Sequence, residues 1–246
     1  MPRRPDCSQT AAGALLVRMN RRERIDAERA RAKPRMPGWQ HAVAAPLAGL
    51  ATIVLTLLTP PGLRLAMAVF AGTTMLLFVV SAVYHRGSFS LPVTAFLQRW
   101  DHANIFLVIA GTATPFIVAL LDGRAVAIML AVMWIPALAG ALIRMLWVNA
   151  PRWLFVPQYL ALGWVTATFM PQFLGSSAIG AVALAWVMGL IAVGGLLYTL
   201  GAAVFATKWP NPSSHWFGFH EVFHSFTLGG WTSHFIAAVL VVGAVR

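Results

Sequence analysis

Long apolar stretches separated by short turn motifs recur along this chain from residue 41 onward. A helix needs about 20 such residues to cross the hydrocarbon core of a bilayer, which is about 30 Å thick. The breaks carry turn-forming residues, as in TPPG (59–62), LDGR (121–124) and KWPNPSS (208–214). The sequence therefore predicts an all-α bundle of seven transmembrane helices, over residues 41–59, 63–84, 100–121, 126–147, 153–174, 178–206 and 216–245.

The charge distribution divides the chain into a basic tail and a membrane domain. Only 10% of the residues are charged, whereas a soluble domain carries about 25%. Ten of the eighteen Lys and Arg residues lie between Arg3 and Arg35, a pattern typical of a tail attracted to anionic lipid headgroups. No aromatic interleaving accompanies this run, so nucleic-acid binding is not predicted. We expect a basic, flexible cytoplasmic tail over 1–37 and a membrane domain over 38–246.

The remaining basic residues predict the orientation of the spans, because positive residues are retained in the cytoplasm. With the tail inside, five more basic residues fall on the inner side: Arg86, Arg99, Arg144, Arg152 and Lys208. Only Arg64, Arg124 and Arg246 fall outside. This asymmetry predicts a cytoplasmic N-terminus and an external C-terminus.

Five polar side chains lie within the predicted spans or at their ends: Ser81, His85, Asp101, His220 and His224. Polar groups at membrane depth are costly and usually functional. The predicted orientation ends span two at His85 and starts spans three and seven near Asp101 and His220. All five groups are therefore expected to converge near the cytoplasmic face.

The motif HEVFH (220–224) predicts a metal site. His220 and His224 are four residues apart, so both imidazoles project from one face of a helix. His85, from another helix at the same depth, completes a three-histidine set. Three protein nitrogens with one open position are the arrangement of a catalytic zinc, which acidifies a bound water. The one cysteine, Cys7, lies in the tail, so no thiolate site is expected.

Two neighbouring groups are candidates for the chemistry. Ser81 precedes His85 by four residues and shares its helical face, and Asp101 is the carboxylate from another helix at that level. Asp101 is suited to accept a proton from water or to orient it. The alternative is that each histidine only packs against its neighbours, but the convergence of five polar groups favours a site.

Glu221 leaves a further interpretation open, because HEVFH also matches H-E-x-x-H, in which the Glu is the general base of a metalloprotease. No second acidic ligand motif accompanies it, so we expect Glu221 instead to bond to a neighbouring helix.

The other histidines are not expected to bind this metal. His234 lies about 21 Å from His220 along a helix axis. Three more lie near the predicted cytoplasmic interface, where a solvated or headgroup role is expected: His41, His102 and His215.

Three motifs resemble the haemolysin III family, a bacterial branch of the progestin and adipoQ receptor (PAQR) group that includes the adiponectin receptors. They are SAVYH (81–85), DHANIFLVIAGTATPF (101–116) and HEVFHSFTLGGWTSHF (220–235). The likeness covers about residues 37–245. It implies a seven-helix bundle with zinc held by His85, His220 and His224. It also implies that Asp101 and Ser81 lie beside the water that this zinc would bind. Ala113 departs from the pattern, since relatives often carry an aromatic residue there.

The wider superfamily contains alkaline ceramidases, which hydrolyse lipid amides. The resemblance thus implies a zinc-dependent hydrolase of acyl-lipid amide or ester bonds, involved in membrane lipid homeostasis and located in the bacterial cytoplasmic (inner) membrane. Membrane lipids are the expected partners. Two alternatives remain open: a membrane sensor or regulator with structural zinc, and a haemolysin or channel. The scarcity of charged residues along the spans disfavours a channel.

Overall fold

The computed structural model describes residues 38–147, 151–213 and 216–245. The predicted basic tail and His215 lie outside the described residues. Within those ranges 87% of the residues are helical and no strand is present. The predicted all-α class is confirmed.

Eight helices and one 3-10 turn make up the described chain. They are α1 (Trp39–Leu58), α2 (Pro61–Arg86), α3 (Leu91–Leu120), α4 (Gly123–Leu146), α5 (Arg152–Trp164), the 3-10 turn Val165–Phe169, α6 (Met170–Leu174), α7 (Ala181–Thr207) and α8 (Phe219–Ala244). Six of them, α1 to α4, α7 and α8, are long and apolar enough to cross a membrane. The structure thus has the helices of a multi-pass membrane protein.

The helix boundaries follow the turn residues with one exception. Pro61 occupies the first position of α2, where its missing N–H costs nothing. Lys208 adopts a left-handed conformation, with φ of 57°, and ends α7. The exception is α3, which begins at Leu91 rather than at the predicted residue 100. Residues 91–99, which lie between the predicted spans two and three, thus form the first part of α3.

The fifth predicted span, 153–174, is not one continuous helix. α5 ends at Trp164, the chain passes through the 3-10 turn, and α6 is only five residues long. Thr166 and Thr168 donate to the carbonyls three residues earlier, at 2.8 and 2.7 Å, and such bonds compete with the helical ladder. Pro171 then removes a backbone donor at the start of α6. These backbone effects do not change the hydropathy pattern, so that pattern does not predict the break.

The helices enclose a central space. α1, α2 and α3 pack in sequence, α3 packs against α5, α5 against α7, and α7 against α8, which returns to α1. α4 packs against α3 and, to a smaller extent, against α5. Trp231 of α8 donates to Thr74 Oγ1 of α2 at 3.0 Å inside the bundle. This arrangement brings the end of α2 and the starts of α1, α3 and α8 to one end of the molecule.

Candidate metal centre

Three histidines from two helices meet at that end of the bundle. Nε2 of His85 lies 3.1 Å from Nε2 of His220, and one ring nitrogen from each of His85, His220 and His224 lies within 4.8 Å of the other two. Two nitrogens on one tetrahedral zinc, each about 2.0–2.1 Å from it, are about 3.3 Å apart. The three histidines lie close enough together to hold a metal ion, as the sequence predicted.

A buried, unpaired nitrogen supports this assignment. His224 is 2% exposed, and its Nδ1 has no hydrogen-bond partner among the described residues. Buried ring nitrogens normally have a partner. Three converging imidazoles can bind a metal ion through their ring nitrogens, so the residues present fit a metal ion.

Glu221 fixes the start of α8 and with it the position of His220. Its Oε2 accepts a hydrogen bond from the Gly218 backbone N–H at 2.9 Å, which satisfies one of the unpaired donors at the helix N-terminus. The expected bond from Glu221 to a neighbouring helix is therefore wrong, because the carboxylate caps its own helix. Its engagement in the helix cap disfavours the metalloprotease interpretation of H-E-x-x-H, in which the Glu acts as general base.

The two predicted chemical groups lie beside the cluster. Oδ2 of Asp101 is 3.8 Å from Nε2 of His85, and Ser81 is 2% exposed and adjoins the Asp101 carboxylate. Both side chains line the cavity that reaches the metal centre. The structure thus brings together all five polar groups singled out in the sequence.

His41 belongs to the site, although the sequence pattern placed it at a solvated interface. Its ring is buried, and its Nδ1 lies 2.8 Å from Ser81 Oγ. It also stacks on His224 with the ring centroids 3.9 Å apart. The solvated role expected from its position near the interface is wrong, because α8 packs against α1 and His224 covers the ring. Its place at the start of span one, at the same end as His85, was the available signal.

The hydrogen-bond pattern favours one tautomer of His41. Its Nε2 is buried with no partner among the described residues, and a buried N–H without a partner is rarer than an unpaired acceptor. The proton is therefore assigned to Nδ1, which donates to Ser81 Oγ. Ser81 then donates its hydroxyl hydrogen to the Asp101 carboxylate, which it adjoins.

Two further histidines of the described residues, His102 and His234, are not part of the metal centre. His234 is buried, with Nδ1 at 2.8 Å from the Gly230 carbonyl, and it is not part of the three-histidine group, as predicted. His102 is partly exposed and its Nδ1 lies 2.6 Å from the Gln98 carbonyl of its own helix, which is compatible with the solvated role expected for it.

A cavity of about 340 Å³ extends from the metal centre into the bundle, a volume within the range of small-molecule sites. Ser81, Asp101 and His224 line one end and His234 the other. The wall between is mostly apolar, with residues such as Leu77, Val108, Ala113, Phe116, Met133 and Met188. Trp164 and Leu196 line the cavity and are 52% and 53% exposed. The cavity therefore opens sideways, between the interrupted segment 152–174 and α7.

Comparisons with known proteins agree with this arrangement. A family model described as Haemolysin-III related matches residues 29–235. A hemolysin-3 homolog of Bacillus subtilis (strain 168) is 28% identical over 169 residues, which cover 68% of this chain and 73% of the relative. Hemolysin-3 of Bacillus cereus is 28% identical over 179 residues, which cover 72% of this chain and 75% of the relative.

Proposed function

Because the chain belongs to the haemolysin-III related family, and because its three histidines converge beside a buried carboxylate, we propose that it is an integral-membrane, zinc-dependent hydrolase of acyl-lipid amide or ester bonds. The observation that carries the proposal is that Asp101 and Ser81 line the end of an apolar cavity at which His224 also lies. Its role would be in membrane lipid homeostasis.

Zinc is the metal that this donor set favours. Imidazole nitrogens suit several transition metals, but three histidines with room for a further ligand are typical of a catalytic zinc. Held by His85, His220 and His224, zinc would supply Lewis-acid polarisation of a carbonyl and activation of water.

Asp101 is proposed as the proton acceptor. Its carboxylate is buried and lines the cavity, and a carboxylate within hydrogen-bond reach of water can act as a general base. Ser81, whose oxygen lies 2.8 Å from His41 Nδ1 and whose hydroxyl adjoins Asp101, is proposed to stabilise the developing oxyanion. His41 would position Ser81.

The cavity is proposed to hold the acyl chain. Its lining is mostly hydrocarbon, and its lateral opening lies between lipid-facing elements. Burying an acyl chain there would be favourable by about 0.8 kcal/mol per methylene relative to water. The carbonyl would then lie beside Asp101, where the reaction takes place.

The test is a hydrolysis assay on purified protein with long-chain N-acyl amides and acyl esters. Wild type should release free fatty acid, whereas Asp101→Asn should lose turnover by about 100-fold or more and keep its metal. Asp122→Asn is the matched control, since Asp122 is exposed at the start of α4. Undiminished turnover in Asp101→Asn would contradict the role of this carboxylate.

A regulator with structural zinc is the second candidate. The observation that favours it is that the ligands come from α2 and α8, so a metal ion would cross-link two distant parts of the sequence. Loss of thermal stability on metal removal, with no lipid product from wild type under any condition, would favour this candidate.

A channel or haemolysin activity is disfavoured by the cavity wall. Among the described residues that line it, Asp101 is the one Asp, Glu, Lys or Arg side chain, and ion paths normally carry rings of charged or carbonyl groups. Ion flux from liposomes that contain the protein would reverse this preference.

We also propose seven crossings, the segment 152–174 being the fifth, with the N-terminus in the cytoplasm and the protein in the bacterial inner membrane. The clustering of positive residues at one side supports this orientation. A C-terminal alkaline phosphatase fusion should be active and a C-terminal fluorescent protein dark; the reverse result would invert the topology.

A further inference from the structure

Two hydroxyl groups inside the cavity have no hydrogen-bond partner among the described residues. Thr112 Oγ1 and Tyr198 Oη are buried, belong to residues that line the cavity, and form no hydrogen bond with any described residue. A hydroxyl removed from water without a partner is costly. Such groups in a native structure call for an explanation, and a role in binding a ligand is one.

The other hydroxyl groups around the cavity set these two apart. Ser81, Tyr159, Thr166, Thr199 and Thr227 all have protein partners. Helical threonines commonly bond to the carbonyl four residues earlier.

Thr112 does not follow this hydrogen-bonding pattern. Thr114, two residues along α3, donates to the Ala110 carbonyl at 2.8 Å, and Thr227 on α8 donates to Phe223 at 3.0 Å. Thr112 makes no such bond. Its hydroxyl is therefore available to a molecule in the cavity.

A hydrogen-bond acceptor, His234, lies at the end of the cavity that is distant from the metal centre. Nδ1 of His234 is 2.8 Å from the Gly230 carbonyl, and because a carbonyl only accepts, the neutral ring carries its proton on Nδ1 and presents Nε2 as an acceptor. Tyr198 stacks on His234 with the centroids 5.5 Å apart. Phe116, one turn after Thr112, lies 6.3 Å from the same ring. The distal polar cluster consists of Thr112, Tyr198 and His234.

We propose that the distal polar cluster binds a hydroxyl group on the acyl chain of the ligand. A hydroxyl both donates and accepts, so it can pair with Nε2 of His234 and with the two unpaired hydroxyls. This inference rests on the proposed function, since it takes the cavity to hold an acyl chain whose carbonyl lies at the metal centre.

The distance between the metal centre and the distal polar cluster indicates which carbon of the acyl chain carries the hydroxyl. His224 and His234 are ten residues apart on α8, which corresponds to about 15 Å. An extended covalent chain advances about 3.6 Å over three bonds, so about 12 bonds cover the distance. The preferred ligand carries its hydroxyl near carbon 12, not beside the carboxyl group.

The test is competitive binding to the full chain in detergent, measured by native mass spectrometry with equal amounts of 12-hydroxyoctadecanoate and octadecanoate. Wild type should favour the hydroxylated acid about three- to tenfold, as expected for one added hydrogen-bonded group. Thr112→Val and Tyr198→Phe should each bring the ratio close to one. Thr227→Val is the matched control, because its hydroxyl lines the cavity but already has a partner, and it should keep the preference.

A second measurement establishes that the variants are folded. Removing a hydroxyl that has no partner should leave the thermal stability in detergent without added fatty acid unchanged or higher. A fall in the stability of both variants would indicate structural hydroxyls and would contradict the proposal.

The outcomes separate this inference from the proposed function. Equal binding of the two acids, or a preference that survives in both variants, would overturn the hydroxyl site and leave the acyl-chain cavity intact. Binding of neither acid would overturn the acyl-lipid part of the proposed function, and this inference with it.

Discussion

The imidazole rings of His41 and His224 lie nearly parallel, with their centroids 3.9 Å apart and an angle of 13° between their planes. One ring belongs to the metal centre, and the other holds Ser81 through a 2.8 Å hydrogen bond. The stack therefore joins the metal ligands to the proposed oxyanion donor, and it ties α1 to α8.

Truncation of His41 should weaken the metal centre. We expect His41→Ala to leave a cavity beside His224 and to lower stability by about 2–4 kcal/mol, with a matching fall in metal affinity measured by competition with a chelator. His41→Phe keeps a flat ring and is the control: it should bind metal nearly as wild type does, but hydrolyse lipid more slowly because Ser81 loses its partner. Wild-type metal affinity in His41→Ala would contradict the supporting role of the stack.

Metal content should depend on the three histidines. Purified wild-type protein should contain about one zinc ion per chain, and both His85→Ala and His220→Ala should lose it. His102→Ala removes a histidine at the same end of the bundle and should retain the metal. Mass spectrometry of the metal content gives the comparison, and a metal-free wild type after zinc supplementation would exclude the site.

Glu221 and Asp101 should respond differently to loss of charge. Glu221→Gln keeps an oxygen that can accept from the Gly218 N–H, so it should retain both fold and turnover, whereas Glu221→Ala should lose about 0.5–2 kcal/mol of stability with the cap. Asp101→Asn should lose turnover. If Glu221→Gln is instead the inactive variant, the H-E-x-x-H interpretation is restored.

Two adjacent glycines of α7 offer a matched test of helix packing. A Cβ at Gly194 would run into the imidazole of His234 and lie 3.1 Å from the Gly230 carbonyl, whereas a Cβ at Gly195 would meet nothing within 4 Å. Gly194→Ala should therefore destabilise the α7–α8 contact by about 1–3 kcal/mol. Gly195→Ala should be neutral or stabilising. Equal melting temperatures in detergent for the two variants would show that this contact is looser than the structure indicates.

The sequence was sufficient for the parts of the site that depend on helical spacing. Ser81 and His85, and likewise His220 and His224, are four residues apart, so helix geometry alone puts each pair on one face. Counting the spans then placed both pairs and Asp101 at one end. These relations are local or topological, and they were predictable without coordinates.

The sequence did not predict the features of the structure that depend on helix packing or on backbone hydrogen bonds. The stack of His41 on His224 depends on α8 packing against α1, a contact between the two ends of the membrane domain. The break at residues 165–169 arises from hydroxyl-to-carbonyl bonds in a segment as apolar as its neighbours. Neither feature alters the hydropathy from which the spans were predicted.

The opening between Trp164 and Leu196 lies on the flank of the bundle, near the middle of α7. A lipid that enters by this route stays within the bilayer, so its diffusion toward the protein is two-dimensional. The quantity that saturates the protein is then the mole fraction of substrate in the membrane. Diluting a fixed amount of substrate with inert lipid should slow hydrolysis, whereas diluting the same vesicles with buffer should leave the rate per protein unchanged.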